Sequence, residues 1–127
     1  MRILLVDDEE DFLNVMEGVL QARGHEVVSA RDGKEAREAM EEEKIDLIIC
    51  DVYMPTLDGI RFHSFVRKFT DAPDVPFIFI PGYDDEHLRN LAAESPNDYF
   101  LRKPTPVEDI LALIDRVGRT SPGGGNP

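Results

Sequence analysis

The sequence predicts an α/β fold: a doubly wound parallel sheet of five strands covered by five helices, in three layers. Three observations carry this. Short apolar runs recur between stretches with helical spacing. The first run, Ile3 to Val6, is continuously apolar, as a strand buried on both faces is, where a half-exposed strand would alternate. Strands that take turns with helices pair in parallel through right-handed crossovers. At 127 residues the chain has the size of one domain with one real core.

Ile3-Leu4-Leu5-Val6 is the first strand. Phe12, Val15, Met16, Val19 and Leu20 then follow the i, i+3, i+4, i+7 spacing of an amphipathic helix, which Gly24 closes as a C′ residue. His25 to Ala30 is the second strand. Asp32-Gly33 turns the chain into a helix from Lys34 to Glu43 with a small inner face of Ala36, Ala39 and Met40. The third strand is Ile45 to Cys50. After a loop from Pro55 to Gly59, a helix carries Ile60, Phe62, Phe65, Val66 and Phe69. Val75 to Ile80 is the fourth strand, Asp84 to Glu94 a short helix with Leu88, Leu91 and Ala92 inward, and Tyr99-Phe100-Leu101 the fifth strand. The last helix, Val107 to Val117, turns Val107, Ile110, Leu111, Ile114 and Val117 to the core. The expected domain is 1–118. Residues 119–127, ending in SPGGGNP, have the composition of a flexible tail or linker.

No apolar run approaches the roughly 18 to 20 residues of a membrane span. MRILLVDDEEDF turns acidic too early for a signal peptide. The single cysteine, Cys50, forms no internal disulfide and suits a reducing cytoplasm. With 26 acidic and 14 basic residues the formal net charge is −12, which disfavours direct binding to nucleic acid or anionic membrane. It suits a cation site or a basic partner; solubility alone accounts for most of the acids.

The stretch LIICDVYMPTLDGI places a carboxylate, Asp51, at the end of a run destined for the interior. A buried carboxylate is costly unless something compensates it. Ligands of such sheets bind beyond the carboxyl ends of the strands, where the winding reverses. Asp7 and Asp8 end the first strand, Asp51 ends the third, and Lys103 follows the fifth. If the first and third strands are neighbours, three carboxylates converge. Like charges at about 4 Å repel by about 4 kcal/mol at an effective dielectric near 20. The nest asks for a divalent cation, and all-oxygen ligands suit Mg²⁺ or Mn²⁺. The alternative is that Asp7, Asp8 and Asp51 are ordinary loop acids. His25, His63 and His87 share no spacing and are given no role, and Cys50 is expected to fill space in the sheet.

LLVDDEE, DVYMPTLDG and the RKP of FLRKPTP, at these strand ends, resemble the receiver domains of two-component response regulators over residues 1 to about 118. The resemblance implies a flavodoxin-like sheet of order 2-1-3-4-5. It implies that Asp51 accepts a phosphoryl group from the phosphohistidine of a histidine kinase or phosphotransfer protein. Asp8 and Asp51 would hold Mg²⁺ with the backbone carbonyl of Tyr53, and Asp7 would act chiefly through water. Lys103 and the Gly82 amide would contact the phosphoryl oxygens. Lys103 read without the resemblance is a surface lysine beside Pro104, a bond that permits the cis form the family tends to have. Pro55, Asp58 and Gly59 are read as architectural, with Asp58 a cap or turn residue.

One position departs from the family. Where receivers have Thr or Ser after the fourth strand, this chain has Pro81, with neither hydroxyl nor N–H. A lost hydrogen bond to a charged acceptor costs about 1.5 to 3 kcal/mol. The same hydroxyl belongs to the family's switch, whose aromatic by spacing is Phe100; that coupling is expected to be muted, while core packing explains Phe100 equally well. Tyr53 and Tyr83 flank the expected phosphoryl site and should slow attack by water, or alternatively form a docking surface.

The resemblance thus implies a signalling phosphoacceptor that catalyses only its own phosphorylation and dephosphorylation. It acts on a downstream protein target or a fused output domain, and the family allows homodimers through the fourth and fifth helices. The alternative is a pseudo-receiver, a constitutive interaction module, which Pro81 favours. A phosphohydrolase ranks last, because such enzymes carry a second Asp two residues after the nucleophile, where this chain has Tyr53.

Overall fold

The computed structural model describes residues 1–51, 53–54, 57–80, 86–101 and 105–120, with backbone alone at 53–54, 57–58, 87–88, 91, 94 and 119–120. Five strands form one parallel sheet: β1 (Arg2–Val6), β2 (Glu26–Ala30), β3 (Leu47–Cys50), β6 (Phe77–Phe79) and β7 (Asp98–Phe100). Their order is β2-β1-β3-β6-β7. Counted among themselves, these strands have the expected order 2-1-3-4-5. The expected loop after the third strand carries a two-residue antiparallel ladder between β4 (Tyr53–Met54) and β5 (Leu57–Asp58).

Among the described residues five helices accompany the sheet: α1 (Glu10–Ala22), α2 (Gly33–Glu42), α3 (Gly59–Phe69), α4 (Glu86–Glu94) and α5 (Val107–Thr120). Alternate strand residues feed two separate cores, which is why β1 from Ile3, β3 and β6 read as unbroken apolar runs. Leu4, Val6, Ile48, Phe77 and Phe79 meet Ala36 and Ala39 of α2 and Phe62 and Val66 of α3. Ile3, Leu5, Leu47, Ile49 and Ile78 meet Leu13, Met16 and Leu20 of α1 and Ile110, Ile114 and Val117 of α5.

Boundaries moved by one to three residues where local chemistry differs from pattern. Gly33 opens α2 because Asp32 is its N-cap, accepting from the Glu35 N–H at 2.9 Å. Gly24 has φ +88°, the left-handed C′ conformation that ends α1. The strand in 75–80 is shorter than expected, although Ile80 N–H still donates to the Cys50 carbonyl at 2.9 Å. The last helix continues to Thr120. No helix among the described residues is long and apolar enough to cross a membrane.

Candidate functional site

Register builds the site. Val6 of β1 lies opposite Cys50 of β3, so the next residues, Asp7 and Asp51, leave the sheet side by side. Backbone bonds fix both: Asp7 N–H donates to the Ala30 carbonyl at 3.0 Å and Asp51 N–H to the Val6 carbonyl at 2.9 Å. The Asp7 carboxylate also accepts from the Glu9 N–H at 2.8 Å, which turns the chain from β1 toward α1.

Asp7 (1% exposed) and Asp51 (7%) are buried, while Asp8 is exposed. One carboxylate oxygen from each of the three lies within 4.8 Å of the others. Two buried carboxylates and one facing solvent make an all-oxygen, strongly negative cup with an open side. That donor set is of the kind a hard divalent cation takes. The Cys50 thiol, fully buried beneath the cup, donates to the Asp51 carbonyl at 2.9 Å. Burial, and then the charges of Asp51 and Asp7, push its pKa well up, so it stays a thiol.

The structure therefore brings Asp7, Asp8 and Asp51 together. Lys103, Pro81, Gly82 and Tyr83, with the Tyr53 and Asp58 side chains, lie outside the described residues. Phe100 is half-buried against the core shared by α2 and α3.

A second polar centre was absent from the sequence reading, which gave His63 no part. Asp98, at the start of β7, keeps 2% of its side chain exposed. Its oxygens lie 2.9 and 3.0 Å from His63 Nε2 and 2.5 Å from the Arg67 guanidinium. Arg67 also donates to the carbonyls of Pro73, Val75 and Asn97. His63 and Asp98 are 35 positions apart, so no local spacing announces the pair; the available signal was the helical i, i+4 step from His63 to Arg67.

The chain matches the family described as the response regulator receiver domain over residues 3–115. It is 33% identical over 120 residues to the alkaline phosphatase synthesis transcriptional regulatory protein PhoP of Bacillus subtilis, covering 94% of this chain and 49% of that protein. It is 37% identical to the sensor kinase CckA of Brucella abortus over 118 residues, covering 91% of this chain and 12% of the kinase. The chain thus spans about half or less of the length of these relatives. Among solved structures it superposes on the chemotaxis response regulator CheY4 of Vibrio cholerae with a TM-score of 0.81 at 28% identity, covering 91% of this chain and 97% of that one. The receiver domain of the hybrid histidine kinase CckA gives 0.75 at 34%, covering 91% and 97%. A 2-1-3-4-5 sheet, an acidic cup beyond β1 and β3, and a family match spanning both have one common account: the chain belongs to the response regulator receiver domains of two-component signalling.

Proposed function

We propose that Asp51 is the phosphoacceptor of this receiver. The observation that carries the reading is the convergence of Asp7, Asp8 and Asp51 at the ends of β1 and β3, with Asp51 held by the Val6 carbonyl in a buried position. An Asp51 oxygen attacks phosphorus, the phosphorus–nitrogen bond of a phosphohistidine breaks, and the imidazole leaves with the electron pair. The product is a mixed anhydride on Asp51. Asp8 and Asp51, with Asp7 and the Tyr53 carbonyl, would hold Mg²⁺ or Mn²⁺. When bound, the cation offsets charge on the carboxylates and the phosphoryl oxygens. Asp7 and the Glu9 amide orient the cup, while Lys103 and the Gly82 amide would receive the phosphoryl group. The chain catalyses only its own loading and unloading, and hands the signal to a protein target or a fused output domain.

Treating the protein with phosphoramidate and Mg²⁺ and measuring intact mass tests this. One added phosphate in the wild type and none in Asp51→Asn is expected; equal gain in both overturns it. On this reading Tyr53 and Tyr83 would slow attack by water on the anhydride, and a Tyr53→Ala, Tyr83→Ala variant should lose phosphate faster.

Pro81 favours a second reading, a pseudo-receiver whose contacts ignore phosphate. With no hydroxyl at that position, coupling to Phe100 would be muted. A full set of backbone shift changes along β6 and β7 on adding beryllofluoride, a phosphoryl mimic, would rule this out.

A further inference from the structure

On α3, the side of the fold away from α1 and α5, charge and apolar surface are distributed unlike the rest of the chain. The sequence of α3, GIRFHSFVRKF, has no carboxylate, in a protein whose net charge is −12. Phe62, Phe65 and Phe69 stack along it at centroid spacings of 6.4 and 6.3 Å, running from full burial to solvent. Phe69 is 75% exposed. Arg37 of α2 lies over the Phe65 ring, 4.9 Å from its centroid. Arg61 and Lys68, four residues before and three after Phe65, share its face of α3 and are exposed. Arg37, Arg61 and Lys68 make no ion pair among the described residues, whereas Arg2, Arg31 and Arg67 each hold a carboxylate.

A lone exposed phenylalanine needs no explanation. A stacked aromatic row ringed by three cations that hold no carboxylate among the described residues is different, because aromatic and arginine side chains are the ones that dominate protein contacts. In a chain with this excess of acid, a basic and aromatic patch complements a partner that is itself acidic. Glu41, one turn beyond Arg37, and Asp71, two residues past Phe69, set its acidic limits. The exposed end of the row, Phe69, is ten residues along α3 from Gly59, where the helix begins.

We infer that the α2–α3 face is a docking surface for an acidic amphipathic segment of a partner protein, with Phe69 as its apolar anchor and Arg37, Arg61 and Lys68 as its charge contacts. Two synthetic peptides test it: a helix-forming peptide with a leucine stripe and a glutamate face, and the same peptide with lysine for every glutamate. Each is titrated to millimolar concentration into isotopically labelled protein. The acidic peptide should shift the amides of Arg61, Phe65, Lys68 and Phe69, and bind more weakly as salt is raised. Phe69→Ser and, separately, Arg61→Glu with Lys68→Glu should each weaken it by about tenfold or more. All these side chains are exposed, and a melting curve for each variant verifies that it folds. Tighter binding of the lysine peptide, shifts confined to another face, no shift at millimolar peptide, or concentration-dependent shifts without peptide that place a second copy on this face would each overturn the inference.

Discussion

Arg67 and Asp98 meet at 2.5 Å, 31 positions apart, at the end of the sheet opposite the acidic cup. Asp98 pairs in register with Phe77, the first residue of β6, so both residues stand where β6 and β7 begin. One guanidinium thereby joins α3 to the two segments that enter these strands, through the Val75 and Asn97 carbonyls. Removing Arg67 takes the permanent positive charge from a buried carboxylate and leaves His63 as its remaining partner. Arg67→Met is expected to destabilise the domain by about 3 kcal/mol. The measurement is urea unfolding. A change under about 0.5 kcal/mol, the range of ordinary surface substitutions, would show that the pair is ornamental.

Acid should weaken that centre. Burial raises the Asp98 carboxyl, but hydrogen bonds from His63 and Arg67, and then their charges, outweigh it and hold the group below the usual carboxylate range. A carboxyl depressed on folding stabilises fully above its unfolded value, about 3.9, and loses that contribution as pH falls through the folded value. The stability gap between wild type and Asp98→Asn is therefore expected to be wide near neutrality and to close below about pH 4. Unfolding of both proteins across a pH series measures it, and a gap that stays constant into acid would remove the carboxylate's charge as the cause.

The architecture was legible because its signals are local. Unbroken apolar runs mark strands that feed two cores, and the spacing of Leu13, Met16 and Leu20 marks the buried stripe of α1. Asp7, Asp8 and Asp51 were legible for a different reason: each ends a predicted strand, and the order 2-1-3 puts two of those ends side by side. The Asp98 centre was not legible, since it depends on which side chains of α3 face the start of β7. The β4–β5 ladder was missed because its strands are two residues long, below any periodic signal. The exact start of α2 turned on one cap, Asp32, rather than on hydrophobic spacing.

Phe62 and Phe69 lie on one helix and in one aromatic row, yet opposite outcomes are expected. Phe62 is fully buried beside Phe77 at 6.0 Å, and Phe62→Ala should cost about 3 to 5 kcal/mol. Phe69→Ala should change stability by about 0.5 kcal/mol or less, because its ring is mostly in water already. Equal losses in a pair of denaturation curves would mean that Phe69 is covered in solution.

Cys50 is expected to resist iodoacetamide in the folded protein. Its thiol has no exposed surface, and its environment disfavours the thiolate that would react. Mass spectrometry should find it alkylated in urea and unmodified in native buffer. Rapid native labelling would show that the β3 end opens to solvent.

The acidic cup makes a prediction whose sign runs against most substitutions. Three carboxylates within 4.8 Å of one another repel when no cation is bound, and Asp8 is the exposed member. Coulomb repulsion at such distances ranges from about 1 kcal/mol in water-like surroundings to about 4 at an effective dielectric of 20, and exposure puts Asp8 at the lower end. Asp8→Asn is therefore expected to stabilise the protein by about 1 kcal/mol in EDTA, where most substitutions destabilise. In excess Mg²⁺ the order should reverse, because a cation that binds only the folded state adds stability in proportion to its affinity, and the variant has lost a ligand. Melting curves of both proteins with EDTA and with Mg²⁺ give four values that must cross. If Asp8→Asn is the less stable protein in EDTA, the cup is not a site of stored repulsion; if Mg²⁺ raises both melting points equally, Asp8 does not help to hold the ion.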